Sequence, residues 1–313
     1  MTKNIDLSTT VAGVNLESYI INASGPDCTT YEELQTIARS ESAAVMMKSC
    51  TVEPREGNPE PRYQRLDFGA IQSMGLPNLG YKEYVKFSAQ LRQEYGKPVI
   101  ASLSGMCKED NLKMVEAFQE SPVDMIEVNF SCPNIVGKPQ LGYDFEQTDK
   151  VLGEICKINS KPIGVKLPPY FDLCHFDMVA EIMLKHKVGF ISCINSIGNT
   201  LIIDAETEAP IIKPKGGFGG LSGQYIKPVG LSNVRAFLER LKGQVAIFGV
   251  GGIVTGTDAF EYLLAGADAV QIGTTFEKEG AASFSRIAQE LQAIMQRKGY
   301  SSIAEAKGKL REL

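Results

Sequence analysis

The chain has 313 residues, 43% of them hydrophobic and 22% charged, with 30 glycines and 15 prolines, the composition of a globular protein with one large α/β domain or two average ones. Its 32 basic and 37 acidic side chains leave a net charge of −5, which excludes the basic footprint of a nucleic-acid binder. The amino terminus has no apolar run of signal length, and the longest stretch free of polar side chains, 245–254, is about half of the roughly 20 residues a membrane span needs. The expectation is a cytoplasmic protein that neither crosses a membrane nor binds nucleic acid. Its seven scattered cysteines form no C-x-x-C pair and read as free thiols. Two histidines exclude a three-His metal site and leave the chemistry to other groups.

In chain order, short runs rich in branched apolar residues fall at 19–22, 44–48, 99–103, 125–129, 163–166, 189–195, 245–249 and 269–272. Segments of helical period separate them. Thr30 followed by Glu33 forms a capping box. Phe176, Val179, Ala180, Met183 and Leu184, like Ala259, Phe260, Leu263 and Leu264, repeat at the spacing of a helix packed on one face. Alternating strands and helices over this length predict an α/β fold, a single (β/α)₈ TIM barrel across 1–313, with an open doubly wound sheet as the alternative. Three connections are long: 49–97, 130–143 and 196–228. All follow strand carboxyl ends, the barrel face where active sites are built.

On that face lie Gly249-Val250-Gly251-Gly252 and Gly273-Thr274, after the last two strands. Barrels commonly bind phosphate there through backbone N–H groups, so a sugar phosphate, pyridoxal phosphate or flavin mononucleotide (FMN) would fit. Lys48 and Lys166 end strands at the mouth. A Schiff-base aldolase would use one as nucleophile; a flavin enzyme would set a cation beside the ring edge that becomes negative on reduction. Asn129 and Asn195 end the fourth and sixth strands and suit the polar edge of a heterocycle. Cys132 lies in Asn129-Phe130-Ser131-Cys132-Pro133-Asn134, a polar loop rather than an apolar run, and Gly137 beyond it could serve as a lid hinge.

These segments are similar to class 1A dihydroorotate dehydrogenases, the soluble flavin enzymes of pyrimidine biosynthesis. The resemblance covers nearly the whole chain. It rests on Asn22-Ala23-Ser24-Gly25, Arg55-Glu56-Gly57-Asn58-Pro59, Ser73-Met74-Gly75-Leu76-Pro77-Asn78, the Cys132 loop with Gly137-Lys138-Pro139-Gln140, Gly164-Val165-Lys166-Leu167-Pro168-Pro169, and Asn195-Ser196-Ile197-Gly198-Asn199. It implies a homodimer that binds FMN, oxidises dihydroorotate to orotate and passes the electrons to fumarate, giving succinate. Residue by residue, it implies that Cys132 is the base at substrate C5, and that Lys48 lies between flavin and substrate. Gln72, Asn129, Asn134, Asn195, Ser196 and the Met74, Gly75 and Leu76 backbone would bind the pyrimidine. Ala23, Ser24, Gly25, Lys48, Ser49, Asn129, Lys166, Ile194, Gly223, Gly251, Gly252, Gly273 and Thr274 would hold FMN.

The chain departs from the family pattern at Gln72, one methylene longer than the family's Asn, at Pro26-Asp27, and in Gly219-Gly220-Leu221-Ser222-Gly223, where the family has Gly-Gly-Ile-Gly-Gly. Because misplacing one polar contact shifts substrate discrimination, the alternative is an FMN-dependent paralogue oxidising another small carboxylated or hydroxylated compound. Transfer-RNA dihydrouridine synthases share the flavin barrel and a loop cysteine, but the acidic balance opposes an RNA substrate. A flavin-free aldolase would be colourless.

Overall fold

The computed structural model describes residues 5–132, 140–158 and 160–313. Eight strands form one parallel sheet: β1 (Ile20–Asn22), β2 (Val45–Met46), β3 (Val99–Leu103), β4 (Met125–Asn129), β5 (Ile163–Leu167), β6 (Phe190–Cys193), β7 (Ala246–Val250) and β8 (Ala269–Ile272). Their order is β1-β8-β7-β6-β5-β4-β3-β2, with neighbours in parallel register throughout. Almost every strand residue is buried, because helices cover one side and barrel side chains fill the other, so the strands read as continuous apolar runs rather than alternating ones.

The two ends of the sheet meet at β1 and β2, and one side chain joins them. Asn22 Nδ2 donates to the Met46 carbonyl at 2.7 Å and its Oδ1 accepts from the Met46 N–H at 2.9 Å, while Ala43 N–H donates to the Ile20 carbonyl at 3.0 Å. A fully buried carboxamide, with donors and an acceptor, thus stands in for a ladder step and closes the barrel. The open-sheet alternative is excluded.

Outside lie α1 (Tyr31–Arg39), α2 (Tyr81–Tyr95), α3 (Lys108–Gln119), α4 (Phe145–Ile158), α5 (Leu173–Lys185), α6 (Lys227–Leu241) and α7 (Gly256–Ala265), followed by α8 (Thr274–Glu279) and α9 (Ala282–Lys298). Thr30 and Glu33 form the expected capping box on α1, and Thr255 with Asp258 forms a second on α7. The stripe on α5 buries Phe176, Val179, Ala180 and Met183; fully burying a large apolar side chain contributes about 1.5–3 kcal/mol.

Three expectations are corrected. The run 44–48 is strand only at Val45–Met46, and 189–195 only at Phe190–Cys193, which leaves Lys48 and Asn195 on the loops beyond. The connection 49–97 is an insertion only as far as Gly80, since α2 is the crossover helix itself. Its buried side includes Tyr81, Tyr84 and Ser88, and Gly80 supplies no side-chain cap, so neither an apolar stripe nor a start signal marks it. An unforeseen hairpin, Thr9–Val11 with Val14–Leu16, precedes β1; its three-residue strands are too short to show a period.

The first and last insertions meet in a four-stranded antiparallel sheet above the barrel mouth, ordered Ile197–Thr200, Gly219–Gly223, Gly69–Gln72, Tyr63–Leu66. Gly223 pairs with Gly69, and a Cβ on Gly69 would lie 2.0 Å from the Ser222 carbonyl oxygen. Only glycine permits that approach.

Candidate functional site

A cavity of about 310 Å³ opens between the barrel mouth and this sheet. Its wall includes Ala23, Ser24, Gly25, Lys48, Ser49, Gln72, Met74, Leu76, Asn129, Cys132, Lys166, Ile194, Asn195, Ser196, Gly223, Gly251, Gly252, Gly273 and Thr274. Segments scattered from residue 23 to residue 274 therefore converge on one pocket. Gly75 belongs to the Met74–Leu76 loop without lining the cavity. Asn134, Gly137 and the lid reading fall at 133–139, outside the described residues.

At the β7–β8 side the wall is backbone. Gly251 and Gly252 have φ +127° and +71°, and a Cβ on Gly252 would meet the Gly223 carbonyl oxygen and Lys227 Cβ, each at 2.8 Å. Positive φ turns the chain sharply after β7. Thr274 opens α8, where a first-turn N–H has no intrahelical acceptor. The Lys227 ammonium pairs with Asp258 at 2.6 Å and Glu261 at 2.9 Å, so it braces α6 against α7.

At the β4–β6 side the wall is side chain. Asn129 Oδ1 accepts from the Ser131 N–H and hydroxyl, both at 3.0 Å, and its Nδ2 donates to Ser49 Oγ at 3.3 Å. Asn195 Nδ2 donates to Ser131 Oγ at 2.9 Å and to the Ser131 carbonyl at 3.2 Å, while its Oδ1 accepts from Ser196 N–H at 2.8 Å. Ser131, fully buried, thus links the two asparagines and fixes the backbone from which Cys132 projects. Gly142 N–H donates to the Phe130 carbonyl, and the Gly142 carbonyl accepts from the Tyr170 hydroxyl at 2.6 Å.

The thiols differ in environment. Cys28, Cys50 and Cys193 are fully buried, and burial pushes each upward, Cys28 to about 11, so they stay protonated. Cys132 is half-buried at the cavity wall, where a thiolate can meet both solvent and ligand. Lys48 Nζ donates to the Gly25 carbonyl at 2.5 Å, which holds the Ala23–Gly25 turn against the mouth. Gln72 Oε1 accepts from Met74 N–H at 3.1 Å, and its Nε2 faces Ser196 across Gly220, where a Cβ would lie 2.4 Å from Ser196 Oγ. Arg55 donates to the Gly75 carbonyl and Asn58 N–H to that of Met74, at 3.2 and 2.8 Å, so the Met74–Leu76 backbone is braced from behind.

Several groups call for a ligand. Lys166 is only 4% exposed and lines the cavity. Ser196 Oγ and Gln271 Oε1 are buried without partners among the described residues, and both residues line the cavity. Burial of unpaired polar groups is costly. A planar polar ring with an anionic tail on the glycine turns would satisfy them, so the residues fit FMN. Ser131 and Gln271 were missed in the sequence because one reads as loop and the other as strand. Tyr63 and Arg65, which reach Glu277 of α8 at 3.2 and 2.5 Å, were missed because their hairpin carries no motif.

Among the described residues, none of the helices is long and apolar enough to cross a membrane. The dihydroorotate dehydrogenase family model matches residues 6–295. The chain is 51% identical over 310 residues to dihydroorotate dehydrogenase A (fumarate) of Lactococcus lactis subsp. cremoris, covering 98% of this chain and all of that one. It is 49% identical to dihydroorotate dehydrogenase (fumarate) of Kluyveromyces lactis, over 95% of each chain. It is 48% identical to a probable dihydroorotate dehydrogenase A (fumarate) of Enterococcus faecalis, over 99% and 100%. A crystal structure of a dihydroorotate dehydrogenase from Eimeria tenella, in complex with ferulenol, superposes with TM-score 0.82 at 20% identity, covering 97% and 88% of the two chains; it supports the barrel fold.

Proposed function

The chain belongs to the dihydroorotate dehydrogenase family, and on that premise we propose that it is the fumarate-linked enzyme: an FMN-dependent oxidoreductase that converts dihydroorotate to orotate and passes the electrons to fumarate. The observation that carries this reading is the placement of Cys132, Asn129, Asn195 and the buried Lys166 on one cavity beside glycine turns suited to a phosphate.

When bound, FMN supplies a two-electron acceptor for the hydride that leaves substrate C6. Gly223, Gly251, Gly252, Gly273 and Thr274 would hold its phosphate end; Ala23, Ser24, Gly25, Ser49, Asn129 and Ile194 would hold the ring. Lys166 would offset negative charge at the ring edge, and Lys48 would contact both cofactor and substrate. Cys132, as thiolate, removes the C5 proton. Asn129, Asn195 and Ser196, joined by Asn134, bind the pyrimidine edge with the Met74–Leu76 backbone, and Gln72 takes the place of the shorter family amide. The barrel and its insertions work as one FMN-binding domain over 1–313, in the cytoplasm and as a homodimer.

Anaerobic mixing tests the reading. The isolated protein should be yellow, dihydroorotate should bleach it within the turnover time, and fumarate should restore the colour. Bleaching by another small acid but not by dihydroorotate would establish the paralogue instead. Turnover should rise as pH climbs toward the intrinsic thiol value of about 8.5 and then level off, because the base acts deprotonated. A flat profile from pH 6 to 9 would remove Cys132 from that role.

A further inference from the structure

Beneath the cavity floor the barrel interior is polar where aliphatic layers are usual. Glu127 of β4, two residues before Asn129, is fully buried. Its Oε2 accepts from Ser192 Oγ at 2.6 Å and from Gln271 Nε2 at 3.4 Å, and its Oε1 accepts from Ser102 Oγ at 3.3 Å. A carboxylate donates nothing, so it sets the direction of every bond around it. Ser192 gives its only proton to Glu127 and must accept from Gln271 Nε2, at 3.1 Å. Ser102 does the same and must accept from Ser49, at 2.7 Å. Ser49 then has only lone pairs left for Asn129 Nδ2 and Ser24 Oγ, at 3.3 and 3.0 Å. Turning the Gln271 amide over would set its oxygen against two acceptors.

The atom left over is Gln271 Oε1. It is buried, without a partner among the described residues, in a residue that lines the cavity. We propose that Gln271 is a further cofactor-binding residue, accepting through Oε1 a hydrogen bond from an N–H or O–H group of the bound flavin nucleotide, and that Glu127 is the positioning residue that fixes this acceptor through Ser192. The proposal deepens the flavin reading and rests on it.

Diluting the holoenzyme and following the fluorescence of released FMN tests it. Gln271→Met, which keeps the length and removes the acceptor, should weaken FMN retention about tenfold, the worth of one hydrogen bond. Ser192→Ala should weaken it less, and Glu127→Gln, whose amide can itself donate, should free Gln271 to turn and weaken it too. Displaced visible flavin bands in these variants assign the donor to a ring N–H. Unmoved bands with a wild-type melting temperature assign it to a ribityl hydroxyl. Wild-type retention in both Gln271→Met and Ser192→Ala overturns the proposal, as does a loss that only tracks a fallen melting temperature. Should Gln271→Met fail to fold, Ser192→Ala decides alone, since it removes a single oxygen. A wild-type protein that is colourless as isolated overturns the flavin reading and this proposal together, whereas yellow variants that hold FMN like the wild type overturn the proposal only.

Discussion

The two sides of the cavity are built from different material. After β7 and β8 the wall is peptide backbone held in turns that reject a side chain, as the 2.8 Å contacts awaiting a Cβ on Gly252 show. Around β4 and β6 it is carboxamides, hydroxyls and a thiol, each oriented by a neighbour, with Ser131 at the centre. A backbone wall recognises an anion by shape and partial charge, and little there can be tuned by exchanging polar side chains. A side-chain wall can hold a proton or discriminate a ring edge, and single atoms matter in it. One side suits retention of a cofactor, the other the handling of a substrate.

The comparison breaks first at Cys132. Replacement by Ala should lower turnover with dihydroorotate by about 10²–10⁴-fold, the range for a lost general base, while FMN retention stays at the wild-type level. Steady-state rates and the visible spectrum read the two effects separately, and a parallel loss of FMN would show that the two sides are not independent. The converse test is Gly252→Val. Strain at φ +71° together with two clashes should destabilise the protein by about 1–3 kcal/mol and release FMN, seen as a lower melting temperature and free flavin fluorescence. Asn195→Ala should raise the KM for dihydroorotate about tenfold, since a site hydrogen bond contributes about 1–1.5 kcal/mol, with the flavin bands unmoved.

The smallest effect concerns the scaffold under the backbone wall. Burial alone would raise the Asp258 carboxyl, but the Lys227 ammonium and the N–H groups of Val254 and Thr255 outweigh it and hold the carboxyl below its ordinary 3.8. A carboxyl lowered on folding adds stability that is present above its unfolded pKa and is lost as pH falls through the folded one. Asp258→Asn should therefore cost about 1 kcal/mol at pH 7 through the weakened cap. The difference from wild type should shrink below about pH 3.8, where the unfolded carboxyl protonates; melting curves at pH 7 and pH 3 check this.

The barrel and the gathering of Lys48, Asn129, Cys132, Lys166, Asn195 and the Gly251-Gly252 and Gly273-Thr274 turns on one face were legible because strand runs, glycine pairs and the Cys132 loop are local signals, whereas Ala23 to Gly25, Ser49, Ile194 and Gly223 were legible only through the family resemblance. What stayed hidden is the inside of the barrel. Ser102, Glu127, Ser192 and Gln271 interrupt strands that are buried on both faces, so no alternation tells whether a polar residue points inward or toward the helices. The linking role of Ser131 was hidden for another reason: its partners, Asn129 and Asn195, meet only when β4 and β6 are brought near β5. The α2 helix was missed because two tyrosines and a serine supply much of its buried side. Gln72 was singled out for its length, and it bends back onto Met74, so the extra methylene is taken up within its own turn.

The Asn22 amide that joins β1 to β2 makes this junction the thinnest seam of the barrel, since beside that side chain the Ala43 N–H bond to the Ile20 carbonyl stands where the other seams carry a ladder of peptide bonds. The residues that follow on either side, Ala23 to Gly25 and Lys48 to Ser49, are cavity wall. Any slackening of that amide is felt at once as a change in the bore of the pocket, so a substitution such as Asn22→Ala, far from the thiol, would register as a looser fit for whatever occupies the mouth.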